Sequence, residues 1–165
     1  MLKGSFLILL FLLGVLFSEY YVREYLSLEE YNLVRSNVEN VLIKVFTDEG
    51  QIWNVKGKEL IYEKGIAIIK RSVIQGGGYT IKAERLYLNR REKRGRLEGG
   101  VEIFGKDMYL RTTSAYVDFK KNEAWGYEDI ILRKGKNVIR GKGFKISFKP
   151  FKVIIDEVKS IHSYP

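Results

Sequence analysis

The residue types that most often carry catalysis are sparse in this 165-residue chain. There is one histidine, His162, close to the C-terminal end, and no cysteine. A histidine-based triad, a histidine-rich metal site, a thiolate nucleophile and a disulfide are therefore excluded. Glu84, Glu98, Glu102 and Asp118 occupy polar positions of alternating segments. Each is expected on an exposed strand face, and spacing singles out no pair for acid–base work. "GGG" at 76–78 precedes a strand rather than a helix and has no Lys-Ser/Thr after it, so it does not read as a phosphate loop. The expectation is a non-enzymatic protein without metal or cofactor.

Charge is the other chemical resource. The net charge is +9, and residues 1–22 contain only Lys3 and Glu19, so the excess belongs to the remainder. Between Arg133 and Lys152 lie eight basic residues and no acid, among them Arg133, Lys136, Arg140 and Lys142. Such a run suits a polyanion, whether nucleic acid, an anionic membrane surface or a phosphorylated lipid, but it also suits a plain solvated face. "NRREKRGR" (89–96), with Tyr87 nearby, makes nucleic-acid binding a competing class. A solvated hairpin tip is the simpler reading of that run, and no nucleic-acid partner is expected.

The segments that must position these residues begin with "FLILLFLLGVLF" (6–17), twelve residues without a charge. No small-x-small cleavage site follows it, and Tyr20 and Tyr21 fall where an interfacial aromatic belt would lie. Residues 1–22 read as a signal-anchor transmembrane helix, with a cleaved signal peptide as the alternative. Residues 23–40 read as a polar juxtamembrane linker, and 41–165 as one domain of short strands with turns at "TDEGQ", "QGGGY", "NRREKRG", "KKNEAWG" and "RKGKN".

Within those strands one pattern recurs four times: "WNVKGKELIY" (53–62), "YTIKAERLYL" (79–88), "LRTTSAYVDF" (110–119) and "IRGKGFKISF" (139–148). The starts are 26, 31 and 29 residues apart. In each copy a small residue (Gly57, Ala83, Ser114 or Gly143) stands three positions before an apolar one, which breaks the two-residue alternation at the same place. An extra residue beside a small side chain makes a bulge or a corner. Each copy is therefore expected to run along one layer and then along a facing one, with Trp53, Val55, Tyr79, Ile81, Leu86, Leu88, Val117, Phe119, Ile146 and Phe148 turned inward. Between copies lies a return strand pair, for instance "GIAIIKRSVI" (65–74) and "GRLEGGVEIF" (95–104). The fold class is all-β: an open, folded-over antiparallel jellyroll of repeated hairpins, preceded by one transmembrane helix. Its two end strands are left as edges. An ordinary β-sandwich whose apolar residues merely pack remains the alternative.

The repeat "Y-x-I-x-A-x-x-L-x-L", the intervening "G-R-L-E-G-G-V-E-I", the N-terminal apolar segment and the polar linker together resemble the OstA-like β-jellyroll family, over nearly the whole chain. The pattern is similar to its anchored, single-pass branch more than to the soluble relative LptA, which carries a cleaved signal. The resemblance implies a V-shaped jellyroll whose groove, lined by the ten inward residues above, holds the acyl chains of lipopolysaccharide. It implies loading by the LptB, LptF and LptG transporter through the N-terminal helix and a first edge near Val41 and Ile43. It further implies delivery to LptA through a last edge near Val153 and Ile155. The bulk of the chain would lie on the periplasmic side of the inner membrane. Arg133, Lys136, Arg140 and Lys142 are the candidates for meeting lipid phosphates near the rim. An edge-strand adaptor without lipid and a soluble LptA-like carrier are the other readings.

Overall fold

The computed structural model describes residues 38–165, so the expected anchor and most of the linker lie outside the described residues. No helix among the described residues is long and apolar enough to cross a membrane. Nine strands follow one another: β1 (Val38–Phe46), β2 (Ile52–Glu63), β3 (Ile66–Gly76), β4 (Tyr79–Asn89), β5 (Arg94–Gly105), β6 (Met108–Asp118), β7 (Glu123–Lys134), β8 (Asn137–Phe148) and β9 (Phe151–Ser163). Each pairs antiparallel with the next in a single open sheet, so β1 and β9 are its edges. The four sequence copies are β2, β4, β6 and β8. A single return strand, not a pair, joins successive copies, because about 30 residues accommodate two strands of 11 or 12 residues and their turns. β1 also takes in residues 38–40, which were expected in the linker.

The break in alternation is a physical corner. In β4, Ile81 and Ala83 point inward, Glu84 and Arg85 are both exposed, and Leu86 and Leu88 point inward again. The β4–β5 register shifts between Ala83 and Arg85, where Gly99 and Gly100 oppose the single residue Glu84. Two consecutive positive φ angles, 81° and 86°, make glycine the natural occupant of both positions. The return strands therefore bend at the same level as the copies. β7 does so where Tyr127 and Glu128 oppose Gly143, which has φ 75°. In β3 the corner is made by Arg71, a non-glycine residue at φ 49°. Corner carbonyls freed from the ladder are met by hydroxyls: Ser72 donates to the Ala83 oxygen at 3.1 Å and Thr112 to that of Asp129 at 2.9 Å.

The corner line divides every strand, and the two halves of the sheet face each other. Trp53, Ile74, Ile81, Ile103, Leu110 and Leu132 come from one layer; Ile69, Leu86, Leu97, Val117, Ala124 and Ile146 come from the other, and all join one apolar core. One expectation fails here. Asp118 is buried, 3 % exposed, rather than displayed on a strand face. It closes the β6–β7 turn, accepting from the Lys121 backbone N–H at 3.1 Å and from Arg94 at 3.0 Å, and these bonds offset its desolvation.

Candidate lipid-binding interior

Nine of the ten residues expected to turn inward are buried: Trp53, Val55, Ile81, Leu86, Leu88, Val117, Phe119, Ile146 and Phe148, with Tyr79 half-buried beside them. The alternation of β2, β4, β6 and β8 brings them to one surface between the layers. The return strands supply as much again, including Ile69, Ile74, Leu97, Ile103 and Ala124. None of these is among the ten residues expected inward, although "GIAIIKRSVI" carries the same alternation and the same slip at Lys70–Arg71. The interior is filled by these side chains packed on one another, rather than held open as an empty groove.

Opposite the corner, the free margins of the two layers meet along a mouth. The Trp53 ring lies 6.2 Å from that of Phe119 and 5.2 Å from that of Phe148, both edge-on. Tyr79 packs on Phe148 at 4.9 Å and stacks on Phe151 at 5.4 Å. Partial burial raises the Tyr79 phenol above its ordinary pKa. Polar bonds close the same seam. The Trp53 indole N–H donates to Asn122 Oδ1 at 2.8 Å in a buried setting. Lys93 donates to the Phe46 carbonyl at 2.8 Å, and Lys149 faces Glu49 at 3.6 Å. The indole bond is the strongest of the three in effect, because both partners are out of water; the exposed Lys149–Glu49 pair contributes little.

At the edges, Val41, Ile43, Val153 and Ile155 are all half-buried, and all but Val41 pack against the core. The exposed apolar residues of the edges are others: Leu42 and Phe46 on β1, and Phe151, Ile154, Val158 and Ile161 on β9. Alternation turns Leu42, Phe46 and Ile154 outward, whereas Val158 and Ile161 pair with the inward Gly141 and Ile139 and are exposed because no strand covers β9.

The basic candidates spread from the free margin towards the corner. Arg133 and Arg140 sit on the outside of one layer and share their surface with Arg111 and Tyr109 of β6, while Lys136 lies in the β7–β8 turn at that layer's free margin. Lys142 stands nearer the corner, opposite Asp129 and Glu157 in register. Glu102 accepts from the Tyr109 hydroxyl at 2.8 Å and Glu98 is paired with Arg96, so these carboxylates stand apart with separate partners. His162 is exposed on β9, and of "GGG" Gly76 ends β3 while Gly77 and Gly78 form the β3–β4 turn.

No protein-family model matches the chain. A protein of Aquifex aeolicus (strain VF5), described as uncharacterized, is 52 % identical over 163 residues, which is 99 % of each chain. The crystal structure of LptH from Pseudomonas aeruginosa, the LptA-homologous periplasmic component of the lipopolysaccharide transport device, superposes with a TM-score of 0.57. It covers 72 % of this chain and 99 % of LptH at 11 % identity, a likeness of fold. With its nine-stranded, folded-over sheet, the chain has the LptA/LptH-like β-jellyroll fold and belongs to the same family as the Aquifex aeolicus protein.

Proposed function

We propose that the chain is a non-enzymatic lipid-transfer component of LptC type. In this reading it is anchored in the inner membrane by residues 1–22, with its jellyroll on the periplasmic side. It receives lipopolysaccharide from LptB, LptF and LptG and passes it to LptA. The observation that carries this reading is the apolar interior, continuous from β2 to β8 between two layers and flanked by two unpaired edges. Each acyl methylene left in water costs about 0.8 kcal/mol, so several chains cannot cross an aqueous compartment uncovered. An apolar interior removes that penalty without covalent chemistry. Since the interior is packed with its own side chains, lipid is admitted by parting the layers at the mouth, where Trp53, Tyr79, Phe148 and Phe151 interleave. The unpaired edges would extend the sheet into neighbouring jellyrolls by strand addition.

The same filled interior favours one second reading, an adaptor that joins partners through β1 and β9 and holds no lipid. Photo-crosslinking in cells from Tyr79 or Phe119, with lipopolysaccharide detection, separates the two. Labelled lipid from these positions, and none from the outward Lys82, supports transfer. Silence at every interior position leaves the adaptor.

A further inference from the structure

We propose that the outer face of β6–β8 is a docking surface for the anionic phospholipid headgroups of a bilayer. Register places Arg111 beside Ile131 and Ile131 beside Arg140; in the next row Tyr109 lies beside Arg133 and Arg133 beside Val138. With strands about 4.8 Å apart, three guanidinium-bearing positions gather around Ile131. A shallow hollow lined by Tyr109, Arg111, Ile131 and Arg133 runs on past Lys136 and Val138 to Arg140 and Tyr164. Arg111, Arg133, Lys136 and Arg140 are all exposed, and among the described residues none makes an ion pair within 4 Å. Of the acids nearby, Glu102 stands opposite Arg111 in register and holds the Tyr109 hydroxyl. Asp129 is held by Lys159 at 2.8 Å.

The surface is also fixed in place. Gly135 N–H donates to the Asp107 carbonyl at 3.1 Å and Tyr164 N–H to that of Lys136 at 3.0 Å. These bonds tie two hairpin tips and the C-terminal segment together. Clustered like charges on one sheet face repel, and an external lattice of phosphates would relieve that repulsion. The occupant is a bilayer rather than a nucleic-acid strand because of how the apolar groups are presented. Half-buried Tyr109, Ile131 and Val138 and exposed Tyr164 interleave with cations, the mixture found at membrane–water interfaces. A strand of bases needs successive free ring faces to stack on, whereas the Tyr109 ring is packed against Phe104 at 5.1 Å and leaves exposed Tyr164 as a single platform on this surface. This proposal goes beyond lipid transfer and does not need lipid inside the jellyroll.

The chain has no cysteine, so single labels are site-specific. The test uses the full-length chain in vesicles with a fluorescent label at Val138→Cys, or at Ser147→Cys on the outside of the other layer, and a headgroup-nitroxide lipid as quencher. Quenching is expected at Val138→Cys in vesicles containing phosphatidylglycerol, but weakly in pure phosphatidylcholine or high salt, and not at Ser147→Cys in either. Each cation near an anionic surface changes binding about fivefold. The Arg111→Gln/Arg133→Gln/Arg140→Gln variant should therefore weaken docking about 100-fold, with near-UV circular dichroism reporting that it still folds. Lys136→Gln alone, at a hairpin tip, should weaken docking about fivefold. Equal quenching at both labels, equal quenching in neutral vesicles, or preference for an oligonucleotide over anionic vesicles overturns the proposal. Loss of docking with interior crosslinking intact would refute this surface alone and leave the transfer reading standing.

Discussion

If the seam opposite the corner is what holds the layers together, its one buried hydrogen bond should be energetically coupled. Trp53 is 1 % exposed and donates from its indole to Asn122, which is 4 % exposed and sits at φ 53°. Trp53→Phe keeps an aromatic ring near Phe119 and Phe148 but leaves Asn122 Oδ1 buried without its donor. An orphaned buried acceptor costs about 1–3 kcal/mol, and the smaller ring adds roughly 1 kcal/mol of lost packing, for about 2–4 kcal/mol in all. Asn122→Gly removes the acceptor while retaining a residue that tolerates positive φ, so the indole N–H is orphaned at a similar cost. In a double-mutant cycle the packing and backbone contributions cancel. The double variant should then be about 1–2 kcal/mol more stable than the sum of the single changes predicts. Urea unfolding followed by circular dichroism measures this, with Trp53→Phe lowering the midpoint by roughly 1–2 M and Asn122→Gly by roughly 0.5–1.5 M for a slope of about 2 kcal/mol per M. A coupling below about 0.5 kcal/mol lies within ordinary additivity and would refute the idea that this bond ties the layers.

At the corner, a Cβ on Gly57 would overlap Ile69 Cγ2 and come within 3.1 Å of the Lys70 carbonyl, so Gly57→Ala should cost about 1–3 kcal/mol in urea unfolding. No cost there would mean that the corner yields. Asp118→Ala should destabilise by about 2–3 kcal/mol, because the Lys121 N–H and Arg94 lose a buried acceptor; an unchanged midpoint would contradict its placement. The Tyr109 phenol is held above its ordinary pKa first by its hydrogen bond to Glu102, with Arg111 and Arg133 pulling the other way. Ultraviolet titration of Glu102→Gln, referenced to Tyr109→Phe, should show the tyrosine ionising at lower pH than in the unaltered chain. Lys159 lowers the pKa of Asp129 through a hydrogen bond, and Asp129 raises that of Lys159 in return. The contribution of this exposed pair is thus present above the ordinary carboxylate range and lost as pH falls through the depressed value. On the lysine side it is lost as pH rises through the raised one. Asp129→Asn should remove that acid-side slope, a small effect at a solvated site.

The sequence alone determined what is local. Alternation with period two and glycine-containing turns located β2 to β9, and the step from Ala83 to Leu86 marked a true corner, because a phase slip must move side chains to the other face. The ten inward residues followed from the same alternation, as did the edge positions of the first and last strands. What the sequence left open depends on apposition between distant segments. Arg111 joins Arg133 and Arg140 only through the register of three strands, and Asp118 is buried only because Arg94 and the Lys121 N–H come to meet it. Tertiary packing also decided that β3, β5 and β7 bend with their neighbours, since a sheet cannot turn a corner unless every strand does. It decided, finally, that the interior is closed, because Trp53 finds Phe119, Asn122 and Phe148 across a gap that no periodicity along the chain encodes.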